Sequence, residues 1–295
     1  MPWSPKTIKR FIRGFPTSCH TALVETDVGP GYLKAMGGPE GPHTLASELV
    51  ATHLARWLGF PALDFAIIRV DEVDEIPFVN DEGKTIGHAQ VGPAFITRAE
   101  AGDSWSGQER QLAQLVNPDA ISRLVVLDTW LLNCDRYSWP KQAALAKAGI
   151  RRRNRPRIKR DNVFLSEEAP DGQFLLKAID HTHCFTCGHE WSRQLKRIDT
   201  IRDPRLFGLF PEFKRFLDRK EVELVVRDMS RISETIVTDF MNQVPPEWEV
   251  TKEASEALVE LVVARAAYVA ETVVRRIWPQ RELGFTGSVE IEPTS

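Results

Sequence analysis

The sequence has only four cysteines in 295 residues, too few for a disulfide-stapled scaffold. Reduced thiols in a cytoplasmic protein are the expectation. A large excess of charge of either sign is also missing. Lys and Arg number 38 against 41 Asp and Glu, a net charge of −3, so the surface as a whole does not read as a nucleic-acid binder. No uninterrupted apolar run approaches the roughly 20 residues of a membrane span. Residues 1–15 carry Lys6, Lys9, Arg10 and Arg13 without an apolar core, unlike a secretory signal. There is no internal repeat. What remains is globular material, 42% hydrophobic and 27% charged, enough for one large domain or two lobes.

Residues 21–27 read as a strand, 28–31 as a turn rich in glycine and proline, and 32–36 as the returning strand. Alternation places Tyr32, Lys34 and Met36 on one face. A lysine between apolar strand neighbours is unusual; its plain alternative is an edge residue that discourages aggregation. The Gly-Pro loop over 37–42 could let backbone N–H groups approach a phosphate. Thr44 is expected to cap a helix over 44–58, with Leu45, Leu49, Leu54, Trp57 and Leu58 buried and Glu48 at the margin of that stripe. Gly59 and Pro61 stop it. Strands are expected at 63–70 and 88–98, with an acidic turn at 71–75 and a linker at 99–103. The second half begins near Gly107 and is mainly helical, over 117–132, 211–217 and 220–232. Pro245-Pro246 breaks it, and a long helix capped by Thr251 runs to about Trp278. Residues 284–295 read as a disordered tail.

Residues 117–185 organise this half. Asn117 suits an N-cap and Pro118 the first helical position. The helix runs into Asn133-Cys134-Asp135-Arg136-Tyr137. Later come Asn162, before the apolar Val163-Phe164-Leu165, and Asp180-His181-Thr182, after an apolar strand over 174–179. An Asp after a helix, an Asn beside a strand and an Asp at a strand end can supply one base and two metal ligands for phosphoryl transfer. Between them, residues 141–160 carry nine Lys and Arg. The run reads as a solvated insertion, and in the alternative as a site for nucleic acid or an acidic partner. Little aromatic interleaving favours stacked bases. His181, His183, Cys184, Cys187 and His189 invite a zinc reading, but the second ligand pair of a structural site is missing. Buried thiols and a loop histidine beside a phosphate site are the preferred reading.

These motifs resemble the HipA-like kinases, a bacterial branch of the protein-kinase-like fold, over residues 20–240. Asp135-Arg136-Tyr137 is similar to the Asp-Arg-His of that branch, and Asp180-His181-Thr182 stands where protein kinases carry Asp-Phe-Gly. One departure is large: Asn162 follows Asp135 after 27 positions, against about five in the resembling kinases, which an insertion in the catalytic loop explains.

The resemblance implies an α+β, bilobal, protein-kinase-like fold: a sheet lobe with one helix over 1–100, a helical catalytic lobe over 101–283 with a basic insertion at 138–160, and ATP between them. It implies that Lys34 holds the ATP phosphates, partnered by Glu48. The backbone near Phe95, Ile96 and Thr97 meets adenine. Asp135 is the catalytic base, and Asn162 and Asp180 hold magnesium. The γ-phosphate would pass to a Ser or Thr of a protein, or to a small-molecule hydroxyl, and an antitoxin-like partner fits the same picture. Two other readings compete: a nucleotide-binding pseudokinase or scaffold, motivated by the altered catalytic loop, and a binding module acting through the basic insertion.

Overall fold

The chain first builds a five-stranded antiparallel sheet. A computed structural model of the protein describes residues 3–140 and 155–279. Its strands are β1 (Ile8–Gly14), β2 (Ala22–Thr26), β3 (Gly29–Lys34), β4 (Phe65–Val70) and, after the hairpin β5 (Pro77–Val79) and β6 (Thr85–His88), β7 (Gly92–Arg98). They lie in the order β1-β2-β3-β7-β4. Two-residue alternation divides the sheet. Leu33, Ala94 and Ile96 join Ala22, Val24 and Ile68 in one small core, while Phe95 turns to the other side and joins the large core.

Helix α1 (His43–Trp57) crosses this sheet with most of its length buried. It starts without a side-chain cap. Thr44, the expected cap, instead donates its hydroxyl to the Gly41 carbonyl at 2.7 Å. The large core runs from α1 through the helical half. That half contains α2 (Glu109–Leu112), α3 (Asp119–Leu131), α4 (Ile198–Ile201), α5 (Arg219–Met229), α6 (Glu234–Met241) and α7 (Lys252–Ile277). Thr251 caps α7 as expected, accepting from the Ala254 N–H at 3.2 Å. Arg265 lies in the apolar stripe of α7, fully buried. Its guanidinium donates to the carbonyls of Thr129 and Trp130, which α3 leaves free at its C-terminal end.

The expected linker at 99–103 is shorter than expected. Residues Gly102–Ser104 form β8, which pairs with β11 (Val163–Ser166), itself paired with β12 (Leu175–Ala178). Gly102 is required there: its φ is 142°, and a Cβ would strike the Leu165 carbonyl. The expected strand over 88–98 begins only at Gly92, since His88 ends β6 and residues 89–91 separate it from β7.

Asn117 does not cap α3. Its amide accepts from the Leu176 N–H at 2.9 Å and donates to the Leu176 carbonyl at 3.1 Å, pinning the start of the helix to β12. Two short strands, β9 (Tyr137–Ser138) and β10 (Arg157–Ile158), pair antiparallel, so the chain leaves and returns at one point. Most of the basic run, residues 141–154, and the expected tail, 284–295, lie outside the described residues. Among the described residues no helix is long and apolar enough to cross a membrane.

Candidate active site

A cavity of about 410 Å³ opens between the sheet and the helical half. Its upper wall is Tyr32, Lys34, Phe95 and Thr97 from β3 and β7, and its lower wall includes Asn162, Phe164, Ala178 and Asp180. Tyr32 pairs with Thr97, and Lys34 with Phe95, across the two strands, so one period of alternation aims all four at the cavity. The same alternation turns Ile96 away. Ile96 is buried in the small core behind the sheet, and of the three β7 residues singled out in sequence only Phe95 and Thr97 reach the cavity.

Lys34 sits between two carboxylates. Its Nζ is 2.6 Å from Glu48 Oε2 and 3.0 Å from Asp180 Oδ1. Burial alone would lower the Lys34 pKa, yet the charges of Asp180 and Glu48 carry it above its ordinary value. The reverse holds at Asp180. Burial opposes ionisation, but Lys34 and the Thr182 hydroxyl, which donates at 2.6 Å, hold its carboxyl well below the usual range. Glu48 is fixed from its other side by the His181 N–H, 3.0 Å from both carboxylate oxygens. Asp180 adopts a φ of 60°, a left-handed conformation that Asp tolerates better than most residues.

Asp135 lies deeper. The Asn162 amide donates to its Oδ2 at 3.3 Å, so the pair separated by 27 positions meets in space. The β9–β10 pairing explains this: Lys159 N–H bonds the Arg136 carbonyl at 2.8 Å and returns the chain beside Asp135. Arg136 ties the loop down from within. It is fully buried, pairs with Asp128 at 2.7 Å, and donates to the carbonyls of Asn162 and Ile179. Burial pushes the Asp128 carboxyl up, and the guanidinium of Arg136 opposes that.

Several contacts here were not expected from sequence. Arg157 places its guanidinium against Asp135 Oδ1. Arg160 pairs with Glu212 at 2.5 Å, so part of the basic run is engaged within the chain. His183 lies 3.3 Å from Asp135 Oδ2 and 3.1 Å from Glu40 Oε2. Burial lowers its pKa, but bonds to those two carboxylates outweigh burial and raise it to about 9. Asp128 carried one signal, a carboxylate inside an otherwise apolar helix; Arg157 stood out as part of the basic run and His183 as part of the His-Cys motif, but the partners of both are set by the fold.

The cysteines differ from expectation. Cys134 and Cys187 are joined as a disulfide, their Cα atoms 5.5 Å apart and within bridging range, while Cys19 and Cys184 are free and buried. Among the described residues no cluster of three or more His, Cys, Asp or Glu suits a metal, so the zinc reading has no site there. Magnesium asks for less from the protein, being held by one or two carboxylate or amide oxygens with waters and phosphates completing its shell. Asn162 and Asp180, facing one cavity, fit that donor set. Among the described residues both hydrogen bonds to Asp180 land on Oδ1.

Residues 32–143 match the model of the HipA-like kinase family. The matched segment contains Lys34, Glu48 and Asp135 and ends before Asn162 and Asp180. Among solved structures, the chain is similar to a Helicobacter pylori proinflammatory kinase, CtkA. The TM-score is 0.55 at 12% identity, over 95% of this chain and all of that one. A Golgi casein kinase gives 0.48 at 11%, over 92% and 74% of the two chains. No curated protein matches. The architecture is thus α+β with a kinase-like fold, and residues 32–143 are similar to the HipA-like kinase family.

Proposed function

We propose that the chain is an ATP-dependent phosphotransferase that moves the γ-phosphoryl group to a hydroxyl, with a Ser or Thr of a protein as the acceptor. One observation carries the reading: Lys34 bridges Glu48 and Asp180 at the cavity that Asn162 also lines, and Asn162 in turn holds Asp135. A lysine for phosphates, two oxygen donors for a cation and a carboxylate for a proton are what phosphoryl transfer requires.

In this reading Lys34 meets the α- and β-phosphates, and Glu48 keeps its ammonium aimed into the cavity. Phe95 and Thr97 lie beside the adenine. Asn162 and Asp180 hold magnesium, which offsets the negative charge of the phosphate oxygens. Asp135 takes the proton of the acceptor hydroxyl as its oxygen bonds to the γ-phosphorus and the bond to ADP breaks. Since Asn162 occupies Asp135 Oδ2, the oxygen left for the acceptor is Oδ1, where Arg157 now lies. Arg157 must therefore move aside for transfer.

The test is incubation with γ-labelled ATP and magnesium in a lysate of the source cell, comparing wild type with Asp180→Ala. Labelled protein that depends on Asp180 supports the reading; equal labelling by both removes Asp180 from the site and the reading with it.

A further inference from the structure

We propose that His183 is a positioning residue for this transfer, an imidazole that fixes Asp135 from behind and is itself anchored on Glu40, in the loop that follows β3. The inference rests on the phosphotransferase reading and deepens it. Three features of the ring carry it. Nδ1 lies 3.3 Å from Asp135 Oδ2, and Nε2 lies 3.1 Å from Glu40 Oε2, so the two nitrogens face two carboxylates from opposite halves of the fold. The side chain is 6% exposed, so neither contact is a loose surface pair. Its third side is closed by Gly188, where an added Cβ would come within 2.7 Å of the ring.

The consequence is chemical. Nδ1 also lies 3.3 Å from the Thr182 hydroxyl, but that hydroxyl gives its own hydrogen to Asp180. Thr182 is thus an acceptor toward His183, and a protonated ring donates from both nitrogens without conflict. Asp135 Oδ2 then has the Asn162 amide donating to it and the positive imidazolium of His183 at 3.3 Å. Its carboxylate plane is set, and Oδ1 is presented at one orientation. Glu40 matters because a ring held only by Asp135 could turn with it. A base displaced by about 1 Å loses on the order of 10²-fold in rate. His183 does not line the cavity, which makes it a positioning group.

Asn and Gln each keep one half of the imidazole. The amide nitrogen of His183→Asn falls near Nδ1 and can still meet Asp135; that of His183→Gln falls near Nε2 and can still meet Glu40. Initial rates of label transfer from magnesium-ATP, to water and to dephosphorylated casein as a probe acceptor, are measured for both variants with KM for ATP. The expected result is an unchanged KM, with kcat lowered roughly 10-fold or more in His183→Gln and by less in His183→Asn. Glu40→Gln, which leaves the ring in place, is expected to lower kcat by a smaller factor at constant KM. Equal kcat in His183→Asn and His183→Gln, whether lowered or not, overturns the inference, because packing alone does not distinguish the two nitrogens. A wild type that transfers label to neither acceptor overturns the phosphotransferase reading itself, and the two failures are distinguishable.

Discussion

Asp128 and Arg136 form an ion pair at 2.7 Å in which neither side chain is more than 1% exposed. The pair lies beneath the loop that presents Asp135, and Asn133 completes it by donating to Asp128 Oδ1 at 3.0 Å. Gly208 abuts the same carboxylate, and a Cβ there would collide with it. Arg136 carries the link onward to the carbonyls of Asn162 and Ile179, so one guanidinium ties together the three segments that hold Asp135, Asn162 and Asp180.

Asp128→Ala is therefore expected to cost about 3–5 kcal/mol of stability, the usual penalty for stranding one member of a buried pair. Denaturant unfolding measures it. A loss below about 1 kcal/mol would place the pair among contacts of little weight.

Lys34→Ala is expected to weaken ATP binding, and Lys34→Arg to restore it only in part. The gap between Glu48 Oε2 and Asp180 Oδ1 is filled by a compact ammonium, and a planar guanidinium is broader and hydrated differently. Calorimetric titration with ATP checks both. Wild-type affinity in both variants would return Lys34 to the role of an edge-strand residue.

Much of this site could be read from local sequence, and what could not was set by long-range contacts. The N-cap of α7 and the alternation that aims Lys34 into the cavity are local, and they match the structure. The strand β1 escaped notice because its residues are mostly exposed and show no two-residue pattern. Asn117 has every local feature of a cap but spends its amide on Leu176, a partner 59 positions away. The meeting of Asp135 and Asn162 depends on the β9–β10 pairing, two residues on each side, too short to show in sequence.

Arg157→Ala should leave ATP binding unchanged and raise the rate of transfer to water. Its half-exposed guanidinium now occupies Asp135 Oδ1. Releasing a pair of this kind frees up to ~1 kcal/mol, or about fivefold in rate. Hydrolysis assays at saturating ATP measure it. A slower variant would show instead that Arg157 assists the reaction.

Stability should also depend on His183. Its pKa rises from 6.5 to about 9 on folding, so the folded state binds its proton more tightly than the unfolded chain does. The resulting stabilisation is complete below pH 6.5 and is lost as pH rises through about 9. The protein is expected to lose stability across that window, and His183→Gln to lose less. Urea midpoints at several pH values compare the two, and parallel curves would contradict the assignment.

One paired measurement separates Asp135 as the base from Asp180 as a metal ligand. Magnesium-dependent ATP binding and label transfer are measured side by side for Asp135→Asn and Asp180→Ala. Asp180→Ala is expected to lose both. Asp135→Asn is expected to bind ATP as wild type does but to transfer label roughly 10²-fold or more slowly, the scale for losing a positioned base. Unchanged transfer by a folded Asp135→Asn protein that binds ATP normally would contradict the role of Asp135 as the base.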